Sequence, residues 1–174
     1  LPASPSPAGP LTAAQPGLSP SPPPSPTATA SKSAKPRTVV TTVTVNGSLE
    51  EQVLALVNAE RATAGCAAVT SDSKLQAAAR GHSSDMAARN YFSHDTPEGV
   101  SFATRISNAG YTWSMAGENI AWGQATAASV MKDWMNSAGH RANILNCKYK
   151  NLGVGLAYSP SRRPYWTQDF ATPR

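Results

Sequence analysis

The chain has 174 residues and a formal net charge of +5, enough for one domain of ordinary size. The excess is uneven: residues 1–46 carry Lys32, Lys35 and Arg37 and no acidic residue, whereas from Gly47 onward 12 basic residues face 10 acidic ones. A nearly balanced folded part without a basic, aromatic-interleaved stripe argues against nucleic acid, and no run of about 18 apolar residues is present to make a transmembrane segment.

Residues 1–46 hold 11 of the 15 prolines and no aromatic residue. Such a segment buries too little apolar surface to offset its ordering entropy, so a disordered Pro/Ala/Ser/Thr-rich linker with polyproline II character is expected. Its three cations suit loose attraction to an anionic wall or membrane surface. Val39–Val45 has high β-propensity and reads either as an edge strand or as the end of the spacer. The chain begins at Leu1 rather than methionine, which is read as a processed or trimmed product whose signal segment is not shown.

Residues 47–174 are expected to form the folded domain. Ser48 and Glu51 make a capping box before Leu49, Val53, Leu56 and Val57 at helical spacing, and Gly65 ends that helix. A second helix is expected from Asp72 or Ser73 to about Asn90, with Leu75, Ala79, His82 and Met86 on one stripe. A short third spans Phe102–Asn108. A fourth starts at Thr126 and turns Val130, Met131 and Trp134 inward, and Ser137 caps a fifth through Ile144. The period then changes: Leu152–Tyr158 and Tyr165–Phe170 read as an antiparallel hairpin, with Glu118–Trp122 as a third strand. Helices before a small antiparallel sheet give an α+β layered domain.

Three polar residues stand out. His94 lies in a loop after the second helix. Glu118 precedes apolar, strand-forming residues, so its carboxylate is expected to be partly buried and to need a cation or hydrogen-bond donors. His140 falls in the first turn of the fifth helix, where the helix terminus disfavours a positive charge and keeps the imidazole neutral. Each also has a plain reading, as surface, capping or packing group. His82 shares an apolar stripe and reads as a structural, hydrogen-bonded histidine. Trp113, Trp122, Trp134 and Trp166 read as core or cleft wall. Ser137, three residues before His140, is expected to cap backbone amides rather than act as a nucleophile. Cys66 and Cys147 follow the first and fifth helices. Paired, they would close a loop contributing roughly 4–5 kcal/mol in the chain-entropy model; two reactive thiols or metal ligands are the alternative.

Several segments then form a pattern in order: Asn58-x-x-Arg61, His82-Ser83-x-Asp85-Met86, Phe92-Ser93-His94, Ala116-Gly117-Glu118-Asn119-Ile120-Ala121, Trp134-Met135-Asn136-Ser137-x-Gly139-His140-Arg141 and Tyr165-Trp166-Thr167-Gln168-x-Phe170. From Ser48 to Phe170 this resembles the CAP superfamily of cysteine-rich secretory, antigen 5 and pathogenesis-related 1 proteins, in its bacterial SCP-like branch. The resemblance implies a three-layer α–β–α sandwich, secretion or attachment at the cell surface, and a cleft of two histidines and two acidic residues. His94 and His140 match the histidines and Glu118 the first glutamate. The second glutamate commonly follows the helix tryptophan, but here the stretch is Met135-Asn136-Ser137, and Asp133 precedes Trp134.

The implied site is therefore a divalent metal, zinc or calcium, held by His94, Glu118 and His140 with an open position. The dense metalloprotease signature is absent, and no second carboxylate is evident as a base for metal-bound water. The expectation is a monomeric, non-enzymatic domain that binds an extracellular ligand such as a wall or lipid component. A metal-dependent peptidase or esterase and a lipid- or sterol-binding module are the alternatives.

Overall fold

The computed structural model describes residues 47–174. The expected linker of residues 1–46 and the Val39–Val45 run lie outside the described residues.

Helix α1 (Leu49–Thr63) starts at the expected capping box: the Glu51 amide donates to Ser48 Oγ at 3.2 Å and the Ser48 amide to Glu51 Oε2 at 2.7 Å. It ends at Gly65, whose φ of +76° suits glycine. Asp72 caps α2 (Ser73–Arg89) by accepting from the Lys74 and Leu75 amides. Then follow α3 (Phe102–Asn108), α4 (Ala127–Asn136) and α5 (Ala138–Ile144).

Four strands, β1 (Thr70–Ser71), β2 (Trp113–Trp122), β3 (Asn151–Tyr158) and β4 (Pro164–Pro173), form one sheet in the order β1-β3-β4-β2. The β3–β4 hairpin and the β4–β2 pair are antiparallel. The two-residue β1 joins β3 in parallel; with no apolar alternation at Thr70 and Ser71, nothing in the sequence marked it. Both β2 and β4 run longer than expected.

Alternation along the strands builds the layers. Leu152, Val154, Trp166 and Phe170 join Val53, Val57, Val130, Met131, Trp134 and Ile144 in one core, which places α1, α4 and α5 on that face. On the opposite face Ala171 packs with Leu75, Ala78, Ile106 and Tyr111, while Ile120 and Tyr165 pack with Met86 and Ala87, which places α2 and α3 there. The domain is thus the expected three-layer α–β–α sandwich. Cys66 and Cys147 form a disulfide with Cα atoms 4.9 Å apart, joining the end of α1 to the approach to β3. Strand β2 is an edge strand, and the candidate site lies along it.

Candidate functional site

One buried and one largely buried group hold the loop that carries His94. His82, 1% exposed as its apolar stripe implied, uses Nε2 to donate to the Ser93 carbonyl at 2.9 Å. Arg105 of α3 donates to the His94 carbonyl at 2.7 Å and to the Val100 carbonyl at 3.0 Å. The loop backbone is thereby fixed on both sides of its side chain.

From there His94 reaches Glu118. Nδ1 donates to Oε1 at 2.7 Å, and Oε2 accepts from Arg105 at 2.5 Å. Glu118 is buried, while half of the His94 side chain is open to solvent. The hydrogen bond to Glu118 is the main cause that raises the His94 pKa above its ordinary value, and burial only partly opposes it. Since Nδ1 is engaged, Nε2 is the nitrogen left to meet a ligand.

His140 comes from the other helical layer, in the first turn of α5. It is half-buried, and its pKa is lowered, first by burial and then by the charge of His94. The direction agrees with a neutral imidazole, although the causes are burial and the charge of His94 rather than the helix terminus. Its carbonyl accepts from Asn119 Nδ2 at 3.1 Å, which ties α5 to β2. Asn143 adds a second tie, donating to the Glu118 carbonyl at 3.1 Å and to Asn119 Oδ1 at 2.8 Å. These contacts require Gly117, because a Cβ there would run into the Tyr149 hydroxyl and Asn143. Ser137 occupies the N-cap position of α5 but makes no side-chain capping bond, contrary to expectation.

A second carboxylate does reach this region, from a strand rather than from the helix. Asp169 of β4 lies opposite Glu118 in the β2–β4 register. It is fully buried, and neither oxygen finds a hydrogen-bond partner among the described residues. Burial, and then the charge of Glu118, push its pKa well above the usual carboxylate range. Arg105 and Asp169 are the members that sequence reasoning missed. Arg105 sits in an unremarkable short helix, and Asp169 is found only once the strand register is known. Asp133 is engaged by Gln124, accepting from its Nε2 at 2.8 Å.

His94 and Glu118 therefore meet at the β2 edge, while His140 is held on α5 through its backbone, close enough for the charge of His94 to lower its pKa. No group of three His, Cys, Asp or Glu residues stands ready as a metal cage among the described residues. The arrangement offers one oriented imidazole, one neutral imidazole and a carboxylate already shared between His94 and Arg105.

Comparison with known proteins gives a consistent result. Residues 54–170 match the family model described as the cysteine-rich secretory protein family, CAP. The chain is 40% identical over 136 residues to the uncharacterized protein YkwD of Bacillus subtilis, covering 78% of this chain and 52% of that protein. It is similar to the crystal structure of an extracellular protein containing an SCP domain from Bacillus anthracis, with 33% identity, a TM-score of 0.65, and coverage of 71% of this chain and 40% of that one. An outer surface protein of Borrelia burgdorferi shares the fold at 15% identity and a TM-score of 0.68, covering 72% of this chain and 93% of that one. The chain thus spans about half of YkwD and less of the anthracis protein. No described helix is long and apolar enough to cross a membrane.

Proposed function

The chain belongs to the cysteine-rich secretory protein (CAP) family, and on that premise we propose that it is a secreted or surface-held domain that binds a ligand in the cleft at His94, Glu118 and His140, through a divalent metal ion. The observation that carries this reading is the 2.7 Å hydrogen bond from His94 Nδ1 to Glu118. A histidine that gives one ring N–H to a carboxylate has its tautomer fixed and its other nitrogen made more basic, which is the usual support behind a metal-bound imidazole. With both Glu118 oxygens engaged, His94 Nε2 and the His140 imidazole are the donors that would hold the ion, and Glu118 would join them only on release from Arg105 or His94. Imidazole donors favour zinc over calcium, which takes oxygen ligands. The ion would supply a Lewis-acidic anchor with positions open to a ligand oxygen.

Binding fits this cleft better than turnover. A hydrolase needs a base beside the activated water; Glu118 is committed to two partners and Asp169 is sealed from solvent. The disulfide agrees with an oxidising, extracytoplasmic location. Calorimetric titration of zinc, and separately of calcium, into the wild type and a His94→Ala/His140→Ala variant tests the reading. Saturable heat is expected for the wild type only; equal heats from both proteins would overturn it.

A second reading, lipid binding, has its own observation. A groove of about 320 Å³ between α1 and α4 is lined by Leu56, Ala128, Met131 and Met135, with Glu60, Lys132 and Asn136 at its margin. Displacement of a fluorescent fatty acid, lost in Leu56→Gln/Met135→Gln and kept in the double histidine variant, would support this groove; retention in the groove variant would reject it.

A further inference from the structure

The large apolar side chains exposed among the described residues are Phe92, Trp122 and Tyr158, at 44, 42 and 53%. They gather at one end of the sheet. Trp122 pairs with Tyr165 and Tyr158 with Pro164, so the two flank the start of β4. Phe92, from the loop after α2, stacks on Trp122 with centroids 5.6 Å apart and planes inclined by 19°. The β3–β4 turn adds Arg162 and Arg163, and the Arg163 guanidinium lies 4.3 Å from the Trp122 ring centroid.

These two arginines differ from those of α2 and α3. Arg80, Arg89 and Arg105 each hold a carboxylate, whereas neither Arg162 nor Arg163 has one within ion-pair distance among the described residues. Asp133, on the nearby helix α4, is already bonded to Gln124. The result is an exposed Phe92–Trp122 stack beside two uncompensated guanidinium groups, with Tyr158 at the same end of the sheet but on its other face, in line with Leu152 and Val154. Scattered exposed apolar residues carry no message, but a cluster of this kind marks a contact surface. Amphipathic aromatic rings beside arginine are the composition of a surface that lies at the headgroup level of a bilayer, and free guanidinium groups select anionic phosphates there.

We propose that this end of the sheet docks on an anionic phospholipid bilayer, with Phe92, Trp122 and Tyr158 at the headgroup boundary and Arg162 and Arg163 on lipid phosphates. The site shares no residue with the metal-binding reading and does not depend on it. Trp122 lies four residues along β2 from Glu118, roughly 13 Å at the rise of an extended strand, so docking would bring the cleft beside the membrane surface. Three aromatic side chains and two charges make a reversible contact rather than a permanent anchor.

The test uses the full chain with unilamellar vesicles of phosphatidylcholine alone or mixed with phosphatidylglycerol. Binding is expected only to the mixed vesicles, with quenching of tryptophan emission by lipids brominated near the headgroup. Arg162→Gln/Arg163→Gln is expected to weaken partitioning by about 30-fold. Phe92→Ser/Tyr158→Ser is expected to lose the quenching while far-ultraviolet circular dichroism and the zinc titration stay unchanged. Because residues 1–46 are the same in every protein, undiminished binding by the arginine variant would assign the attraction to Lys32, Lys35 and Arg37 and overturn the proposal. So would an absence of vesicle binding, equal binding to neutral vesicles, or binding to a soluble polyphosphate but not to vesicles.

Discussion

Asp169 lies opposite Glu118 across the β2–β4 ladder, so two carboxyl side chains share one buried face of the sheet. Arg105 serves Glu118, and Asp169 is left without a donor among the described residues. Its raised folded pKa means that the folded state holds a proton that the unfolded state, with a value near 3.8, releases. The stability this contributes is complete below the unfolded value and is lost as pH rises through the folded one. Asp169→Asn removes that dependence and can donate to Glu118. In urea unfolding, the variant should gain about 1–3 kcal/mol on the wild type between acidic and neutral pH. A difference that does not change with pH would show that Asp169 ionises freely.

The three histidines of the chain should titrate in two directions. His94 is raised above 6.5 by its bond to Glu118, whereas His82 and His140 are lowered, chiefly by burial. The His94 contribution to stability is therefore full below pH 6.5 and lost as pH rises through its folded value. Those of His82 and His140 are present above 6.5 and lost as pH falls through their folded values. These trends oppose each other, so a bulk melting curve near neutrality is a poor reporter. Residue-resolved proton NMR titration is the right measurement. Glu118→Gln should bring the His94 midpoint down while leaving the order of the other two; an unmoved His94 midpoint would remove Glu118 as its partner.

Much of this architecture was legible because local signals agreed. The Ser48–Glu51 box, the Asp72 cap and the apolar stripe of α2 each locate a helix boundary or face without tertiary information. The hairpin followed from period-two alternation on either side of a turn. The site was legible only in part. His94 and Glu118, named together from the sequence, are hydrogen-bonded, but the further partners of Glu118 come from register and layer packing. Arg105 reaches Glu118 from α3, and Asp169 meets it only because β4 pairs with β2. Neither relation has a short-range sequence signal. Two-residue β1 was missed for the same reason: its pairing with β3 is set by the chain around it.

Glycine substitutions should separate close packing from conformational freedom. Gly153 and Gly155 point toward α2, and a Cβ at either would enter the helix backbone at Leu75–Gln76 or Ala79–Arg80. Helix and sheet must separate to admit it, so Gly155→Ala should destabilise by about 1–3 kcal/mol. Gly81 lies within α2 itself, with nothing within 4 Å of an added Cβ. There the same substitution should stabilise by roughly 0.5–1 kcal/mol, through helix propensity alone. Chemical denaturation of both variants checks the pair, and effects of the same sign would contradict the packing described for this face.

Arg61, in the Asn58-x-x-Arg61 segment, proves to be a structural group at the end of α1. It is fully buried, and its guanidinium donates to four carbonyls, those of Ala67, Ile144, Asn146 and Tyr149, at 2.8–3.1 Å. No carboxylate neutralises it; the carbonyl dipoles of the segment around the Cys66–Cys147 disulfide take that part, and burial lowers its pKa. A planar fork can satisfy several directions at once, which an ammonium cannot do from the same position. Arg61→Met strands four acceptors and should cost about 3–5 kcal/mol. Arg61→Lys keeps the charge but loses most of the fork, so it should still cost about 2 kcal/mol or more. If the lysine variant matched the wild type in urea unfolding, charge alone would hold this junction. If only the methionine variant failed, the separate carbonyl contacts would carry little of the stability. The geometry requires both to fall, and the methionine variant further, because the bonds converge from a loop, a helix end and the approach to β3, segments that the disulfide and the paired Asn58–Val69 bonds hold to α1 only in part.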